Sequence, residues 1–253
     1  MTAAEGRSLV SEPDRGGGRD PAQDPLAGMH PDLRRGRLSA RPGPLLQAVP
    51  PQGVSLLGLD GRRDGLLLVP PLAAGEAAPL LVLLHGAGGA AAGMLRLLEP
   101  QAREAGIALL VPESRKVTWD VIMGEFGPDV AFLGAALSHA FALLPVDAAR
   151  LAIGGFSDGA SYALTLGLGN GDLFGWVLAF SPGFAAPPAT IGRPQIFVSH
   201  GTADDVLPIG HCSRRIVPRL QRAGYTVRYE EFEGGHKLPA RIAADALDWL
   251  RAG

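Results

Sequence analysis

The sequence predicts an α/β fold with a mostly parallel central sheet, an antiparallel N-terminal hairpin and helices on both faces of the sheet. The first observation behind this prediction is that short apolar runs alternate with longer helical runs. The second is that the short runs are hydrophobic without interruption, which is typical of strands buried on both faces. With 253 residues, of which 47% are hydrophobic, the chain can also form a substantial core.

The N-terminal hairpin is predicted from two apolar runs. GVSLLGL (53–59) and GLLLVPP (65–71) flank an Asp60-Gly61 turn, so we expect two antiparallel strands. The strands expected after them are 80–84, 107–112, 150–156, 176–182, 195–201 and 226–232. The helices expected between and after those strands are 91–106, 129–144, 159–169, 210–224 and 239–252.

The first 45 residues differ from the rest of the chain. They are rich in glycine, proline and charge and show no apolar periodicity, which predicts a disordered tail ahead of a catalytic domain at 46–253. This tail contains a small basic cluster made of Arg34, Arg35, Arg37 and Arg41. We expect the cluster to be solvated rather than to form a docking site.

Composition excludes several classes of function. A net charge of −2 and an aromatic content of 6% give no basis for nucleic-acid binding. Cys212 is the only cysteine, so neither an intrachain disulfide nor a cysteine-rich metal site is expected. The first 30 residues show no apolar secretory segment, and the most apolar window, 80–98, is broken by charge and glycine. We therefore expect a cytoplasmic protein without a membrane span.

A Gly-x-Ser-x-Gly pattern joins a predicted strand to a predicted helix. Ser157 lies between Gly155 and Gly159. In a chain with 35 glycines this pattern alone is a weak signal, but the predicted strand before it and the predicted helix after it strengthen the signal. In such a turn the backbone of the serine is strained and its hydroxyl projects from the end of the sheet. The two glycine positions approach each other closely and must lack side chains. Ser157 is therefore the candidate nucleophile.

A serine needs a base and a group that orients the base. Asp204, in HGTADDVLP, and His236, in EFEGGHKLP, both follow predicted strands. These residues lie at the edge where a parallel sheet forms its sites. The order serine, acid, histidine along the chain is typical of one arrangement of such triads. The glycine-rich run after 80–84 predicts an oxyanion site made of the Ala87 and Asp158 N–H groups.

Together, HGAGG, IGGFSDGASYAL, HGTADDVLP and GGHKLP resemble the α/β-hydrolase superfamily and, within it, the phospholipase/carboxylesterase group that includes acyl-protein thioesterase-like enzymes. The resemblance spans about residues 50–253. It implies a Ser–His–Asp esterase that uses no cofactor, and its H-G-x-x-D pattern assigns the acid to Asp204 rather than Asp205. The group often has HGLGD where this chain has HGAGG, and often Gln where it has Asp158. The Asp158 carboxylate adds negative charge, which disfavours anionic substrates.

These observations predict a serine carboxylesterase that cleaves small or soluble esters or thioesters. The alternatives are a serine peptidase or polyester depolymerase using the same triad, and a catalytically silent binding protein. Trp119, in the loop after 107–112, is a candidate for the substrate pocket, with a packed loop aromatic as the alternative. His85 and His200 are expected to be structural, and no metal-ligand spacing such as H-E-x-x-H is present. No metal site is therefore expected.

Overall fold

The computed structural model describes residues 30–45, 50–73 and 75–253. Within these residues eight strands form one sheet. They are β1 (Gly53–Leu56), β2 (Gly65–Val69), β3 (Ala78–Leu84), β4 (Ala108–Pro112), β5 (Val146–Phe156), β6 (Trp176–Phe180), β7 (Gln195–Gly201) and β8 (Val227–Phe232).

The order of the strands across the sheet is β1-β2-β4-β3-β5-β6-β7-β8. β1 pairs antiparallel with β2, and β2 pairs antiparallel with β4. All pairs from β4 to β8 are parallel. This arrangement confirms the predicted sheet with its antiparallel N-terminal hairpin. Because β3 to β8 run in one direction, the loops after them meet at one edge of the sheet.

Helices cover both faces of this sheet. They are α1 (Ala91–Ala105), α2 (Pro128–Leu143), α3 (Asp158–Gly169), α4 (Ser213–Arg222) and α5 (Ala240–Ala252). α1 and α5 pack with one apolar cluster on one face, whereas α2, α3 and α4 pack with a second cluster on the other. Strands β3 and β4 are buried along their whole length, as their uninterrupted apolar sequences predict. Across the described ranges, no helix is both long and apolar enough to span a bilayer.

The part of the predicted tail that the structure describes, residues 30–45, differs from the expectation. Arg37 pairs with Asp172 at 2.9 Å, and Arg41 pairs with the same carboxylate at 2.7 Å. Leu38 is buried in the core, and its N–H donates to the buried Asn170 side chain at 2.9 Å. These charged and polar partners on the domain hold the segment in place, although it lacks apolar periodicity. Residues 1–29 and 46–49 lie outside the described residues.

Candidate active site

Ser157 lies at the sharp turn between β5 and α3. Its φ of 58° is positive, as the strained turn predicts, and its N–H donates to Phe180 O at 2.9 Å. A Cβ added at Gly155 would lie 2.6 Å from the backbone of Gly159, and one added at Gly159 would clash with Leu84 O. Both glycines are therefore required by close backbone approach, and the turn holds the serine at the strand-end edge of the sheet.

The structure brings Ser157, His236 and Asp204 together in one chain of hydrogen bonds. His236 Nε2 lies 2.9 Å from Ser157 Oγ, and His236 Nδ1 lies 2.7 Å from Asp204 Oδ2. Because a carboxylate only accepts, the proton of the neutral imidazole resides on Nδ1 and leaves Nε2 as the acceptor for the serine hydroxyl. Phe156 packs against the imidazole at 4.7 Å between ring centroids. This arrangement can remove a proton from the serine.

Asp204 is buried in the turn after β7. Its Oδ1 accepts from the N–H groups of Val206 at 3.0 Å and Leu207 at 2.8 Å, while Oδ2 faces His236. Burial acts to raise the pKa of this carboxyl, but the hydrogen bonds outweigh it and the pKa lies below its ordinary value. Asp204 is thus held as a carboxylate. The neighbouring Asp205 is exposed.

A second histidine also faces Asp204. His200 is fully buried, and its Nε2 lies 3.2 Å from Asp204 Oδ2 and 2.8 Å from Leu207 O. Its Nδ1 lies 2.6 Å from Ser213 Oγ. The sequence predicts a structural histidine bonded to nearby backbone, and the Leu207 contact fits that prediction. The contact with Asp204 was missed. The i,i+4 spacing of His200 and Asp204 within HGTAD is the only sequence signal that points to it.

The two N–H groups predicted to bind an oxyanion lie beside Ser157. Within the described part of the chain, neither the Ala87 N–H nor the Asp158 N–H donates to another protein group. The loop that carries Ala87 approaches the serine closely, since a Cβ added at Gly86 would lie 3.2 Å from Ser157 Cβ. Asp158 is the first residue of α3, so its amide also points out of the helix N-terminus. Both donors can therefore serve a ligand.

Asp158 also has a fixed carboxylate. Thr118 Oγ donates to Asp158 Oδ2 at 2.7 Å, and this contact joins the loop after β4 to the start of α3. The Asp158 side chain is half-buried next to the serine. The structure thus places negative charge beside the candidate nucleophile.

Trp119 does not line a pocket, contrary to that prediction. Its side chain is 0% exposed, its Nε1–H donates to His85 O at 2.8 Å, and its ring stacks on Tyr162 at 5.2 Å. The ring therefore has no free face for a substrate, and the alternative of a packed loop aromatic describes it. His85 is structural: Nε2 accepts from Ser114 N–H at 3.1 Å and Nδ1 bonds Gly86 O at 2.7 Å.

The same loop and the start of α2 carry a pair of carboxylates that sequence reasoning did not find, the half-buried Asp120 and the buried Asp129. Asp120 accepts from Tyr162 Oη at 2.8 Å and from the N–H groups of Gly127 and Asp129. Asp129 accepts from the N–H groups of Arg115 at 2.5 Å and Asp120 at 2.7 Å. Burial, aided by the charge of Asp120, raises the pKa of Asp129 to about 6. The pair fixes the loop to α3 through Tyr162.

The remaining candidate side chains play local roles. Ser161 Oγ donates to Ser157 O at 3.2 Å and accepts from Gly183 N–H at 2.9 Å, so it ties the loop after β6 to α3. Cys212 is buried, and burial raises the pKa of its thiol. Across the described ranges no group of three or more His, Cys, Asp or Glu side chains is arranged to hold a metal ion.

Proteins of related sequence match part of the chain. Residues 131–252 match the Phospholipase/Carboxylesterase family, a range that includes Ser157, Asp204 and His236. NocK of Nocardia uniformis subsp. tsuyamanensis, which is named as an esterase, is 30% identical over 144 residues. That alignment spans 53% of this chain and 42% of the relative, so the matched region is less than half of the relative's length.

Solved structures share the fold over most of the chain. The esterase PE8 superposes with a TM-score of 0.61 at 25% identity, covering 74% of this chain and 97% of that one. The carboxylesterase of Bacillus cereus superposes with a TM-score of 0.59 at 18% identity, covering 76% and 95%. The chain therefore has the α/β-hydrolase fold, and residues 131–252, just under half of the chain, match the Phospholipase/Carboxylesterase family.

Proposed function

We propose that this protein is a serine carboxylesterase that cleaves small or soluble esters or thioesters through an acyl-enzyme. The observation that carries the proposal is the hydrogen-bond chain from Ser157 Oγ to His236 Nε2 at 2.9 Å and from His236 Nδ1 to Asp204 Oδ2 at 2.7 Å. The family match and the esterases among the similar proteins support the same class of activity.

The proposed reaction starts with proton transfer. His236 Nε2 accepts the hydroxyl proton while Ser157 Oγ attacks the carbonyl carbon of the substrate. The imidazolium that forms is stabilised by the Asp204 carboxylate, which also holds the ring in the required tautomer. His236 then gives the proton to the departing alcohol or thiol. Water, deprotonated by the same imidazole, hydrolyses the acyl-enzyme and regenerates Ser157.

The negative charge of the tetrahedral intermediate requires donors. In the proposal the N–H groups of Ala87 and Asp158 bind this oxyanion, and the N-terminus of α3 adds a favourable dipole. These are amides without another protein acceptor in the described part of the chain. Because they are backbone groups, their position is set by the turn that carries Ser157 and by the loop that carries Gly86.

Substrate preference is expected to follow charge and access. Residues 181–194, between β6 and β7, contain no helix, so they provide little material for a lid over Ser157. The Asp158 carboxylate lies next to the nucleophile and repels a substrate that carries negative charge near its acyl group. Neutral acyl groups of modest size are therefore the expected substrates.

Pre-steady-state kinetics on a matched panel tests this proposal. The panel consists of p-nitrophenyl acetate, butyrate and laurate, a butyryl thioester, and a peptide anilide. We expect a burst of one p-nitrophenol per active site with acetate or butyrate, and none with Ser157→Ala. Turnover of the peptide alone would favour a peptidase. Absence of turnover and burst across the whole panel would contradict the esterase assignment.

A further inference from the structure

Asp204 lies between two histidines: His236 is hydrogen-bonded to it, and His200 lies within ion-pair distance of it. On one side, Ser157 bonds His236, which bonds Asp204 Oδ2. On the other, Ser213 Oγ lies 2.6 Å from His200 Nδ1, and His200 Nε2 lies 3.2 Å from the same Oδ2. Each side thus consists of a serine and a histidine. The second pair is fully buried, so it cannot meet a substrate.

The partners of His200 define its protonation. Nε2 faces two acceptors, Asp204 Oδ2 and Leu207 O at 2.8 Å, so Nε2 must carry a proton. Burial lowers the pKa of His200 despite the nearby charges of Asp204 and Glu231, so the ring is neutral. Nδ1 then has no proton and accepts from the Ser213 hydroxyl. The two acceptors at Nε2 thus select the tautomer, in which the Nε2–H donates to Leu207 O and also faces Asp204 Oδ2.

Two other ionisable groups near His200, those of Glu231 and Cys212, do not replace Asp204 as its partner. Glu231 is its neighbour on β8, but that carboxylate is bound by the Arg214 guanidinium at 2.7 and 2.9 Å. Cys212 precedes Ser213, and its thiol keeps its proton because burial raises its pKa. Asp204 is therefore the carboxylate whose position His200 can influence.

We propose that His200, held at Nδ1 by the Ser213 hydroxyl, is a positioning residue that fixes the rotation of the Asp204 carboxylate toward His236. This inference rests on the proposed triad mechanism. Leu207 and Val206 hold Oδ1 through their N–H groups, and the His200 Nε2–H, which is hydrogen-bonded to Leu207 O, also faces Oδ2 at 3.2 Å. With both oxygens held, the carboxylate presents Oδ2 to His236 Nδ1 without rotating. Loss of the His200 donor allows rotation and misaligns the base.

Two amide variants separate donation to Asp204 from simple filling of the space. His200→Gln places an amide nitrogen near the position of Nε2 and can still donate to Asp204. His200→Asn places its amide near the position of Nδ1, so it can bond Ser213 but does not reach Asp204. His211→Asn, on an exposed histidine, controls for the loss of an imidazole. Turnover is expressed per Ser157 site, counted with a fluorophosphonate, so that unfolded protein does not enter the comparison.

We expect His200→Asn to lower kcat about 10- to 100-fold at unchanged KM, because a small misplacement of a catalytic group costs this much and His200 touches no substrate. His200→Gln should lose clearly less. The far-downfield proton resonance of His236 Nδ1–H, recorded without substrate, should move in His200→Asn and stay close to its position in His200→Gln. Ser213→Ala, which removes one hydroxyl, should move the same resonance by a smaller amount.

Equal kcat values in His200→Asn and wild type would overturn the proposal. Equal losses in His200→Asn and His200→Gln with an unmoved His236 resonance would also overturn it, since they show a packing role. If His200→Asn does not fold, Ser213→Ala decides by the same resonance. Because the resonance needs no turnover, it tests His200 even if no ester is cleaved, an outcome that would contradict the proposed function alone.

Discussion

Asp204, in the loop after β7, and Asp129, in the first turn of α2, are both buried aspartates, yet their pKa values shift in opposite directions. Asp204 faces the imidazoles of His236 and His200, and its pKa lies below the ordinary value. Asp129 faces the carboxylate of Asp120, and its pKa is raised to about 6. Burial acts to raise the pKa of both carboxyls and is the largest cause of the rise at Asp129, where the Asp120 carboxylate adds to it; at Asp204 the hydrogen bonds from His236 and from the Leu207 N–H outweigh it.

The two aspartates belong to different parts of the site. Asp204 belongs to the part that is proposed to react, and Asp129 belongs to the part that supports it. The loop after β7 holds a permanent carboxylate that can stabilise an imidazolium. The loop after β4 is bound at its end by Asp129 of α2, a carboxylate whose charge is costly. This carboxylate accepts from backbone N–H groups of the loop, whose Thr118 and Trp119 contact α3. Substitutions in the first loop should therefore change turnover, and substitutions in the second should change stability.

The largest effect is expected from Asp204→Asn. The amide cannot hold the His236 tautomer as a carboxylate does, so kcat should fall on the order of 10⁴-fold, the loss known for this change in a triad enzyme. Steady-state kinetics measures it. Asp205→Asn, on the exposed neighbour, is the matched control and should retain nearly full turnover. A greater loss in Asp205→Asn than in Asp204→Asn would reverse the assignment of the acid.

A smaller effect, on stability, is expected from Asp129→Asn. The folded-state pKa of Asp129 is raised from 3.8 to about 6, so the folded state binds more protons between these values and loses stability as pH rises through them. This loss amounts to about 3 kcal/mol, taking 1.36 kcal/mol per pKa unit. Asp129→Asn removes the titration. Its free energy of unfolding, relative to wild type, should therefore rise from pH 4 to pH 7.

Urea denaturation at several pH values measures this difference. Asp205→Asn again serves as the control, because it makes the same change at an exposed position. Turnover per site in Asp129→Asn should change far less than in Asp204→Asn. A pH-independent difference between Asp129→Asn and wild type would show that Asp129 is an ordinary ionised carboxylate.

Tyr162→Phe tests how the second loop is attached. The change removes the hydroxyl that donates to Asp120 Oδ1 at 2.8 Å but keeps the ring that stacks on Trp119. We expect the free energy of unfolding to fall by about 1.5–3 kcal/mol, the contribution of a hydrogen bond to a charged group. Tyr229→Phe removes a hydroxyl bonded to the exposed Glu231 and should cost less. Equal costs would argue against the buried network as the attachment.

The smallest expected effect concerns Asp158. Asp158→Asn removes a negative charge next to Ser157 while keeping the backbone N–H. The ratio of kcat/KM for an anionic ester, such as p-nitrophenyl succinate, to that for the neutral butyrate should increase about fivefold, which corresponds to about 1 kcal/mol of charge repulsion. An unchanged ratio would mean that the carboxylate does not face the acyl group.

Much of the fold was accessible from sequence because the signals are local. Uninterrupted apolar runs predicted β3, β4, β6 and β7 within a few residues of their observed bounds. The Gly-x-Ser-x-Gly turn was recognisable because close backbone approach at the turn requires both of its glycines. The motifs after β7 and β8 then pointed to Asp204 and His236 as neighbours of Ser157, since parallel strands end at one edge.

The misses concern contacts between segments that are far apart in the chain. Sequence left Trp119 open as either a pocket residue or a packed loop aromatic, because its burial depends on Tyr162, which lies on another element. The docking of residues 33–41 depends on Asn170 and Asp172, which have no marker in the N-terminal sequence. The contact of the Ser213 hydroxyl with His200 depends on the residue at which α4 begins. None of these follows from periodicity or composition.

The central claim is that Ser157 is the nucleophile, and covalent labelling tests it most directly. Intact-mass and peptide mass spectrometry after treatment with a fluorophosphonate should show one adduct per chain, located on Ser157. Ser157→Ala should keep its thermal midpoint, because it removes one half-buried hydroxyl, and should remain unlabelled. An adduct on another residue, or full esterase activity in Ser157→Ala, would contradict the account.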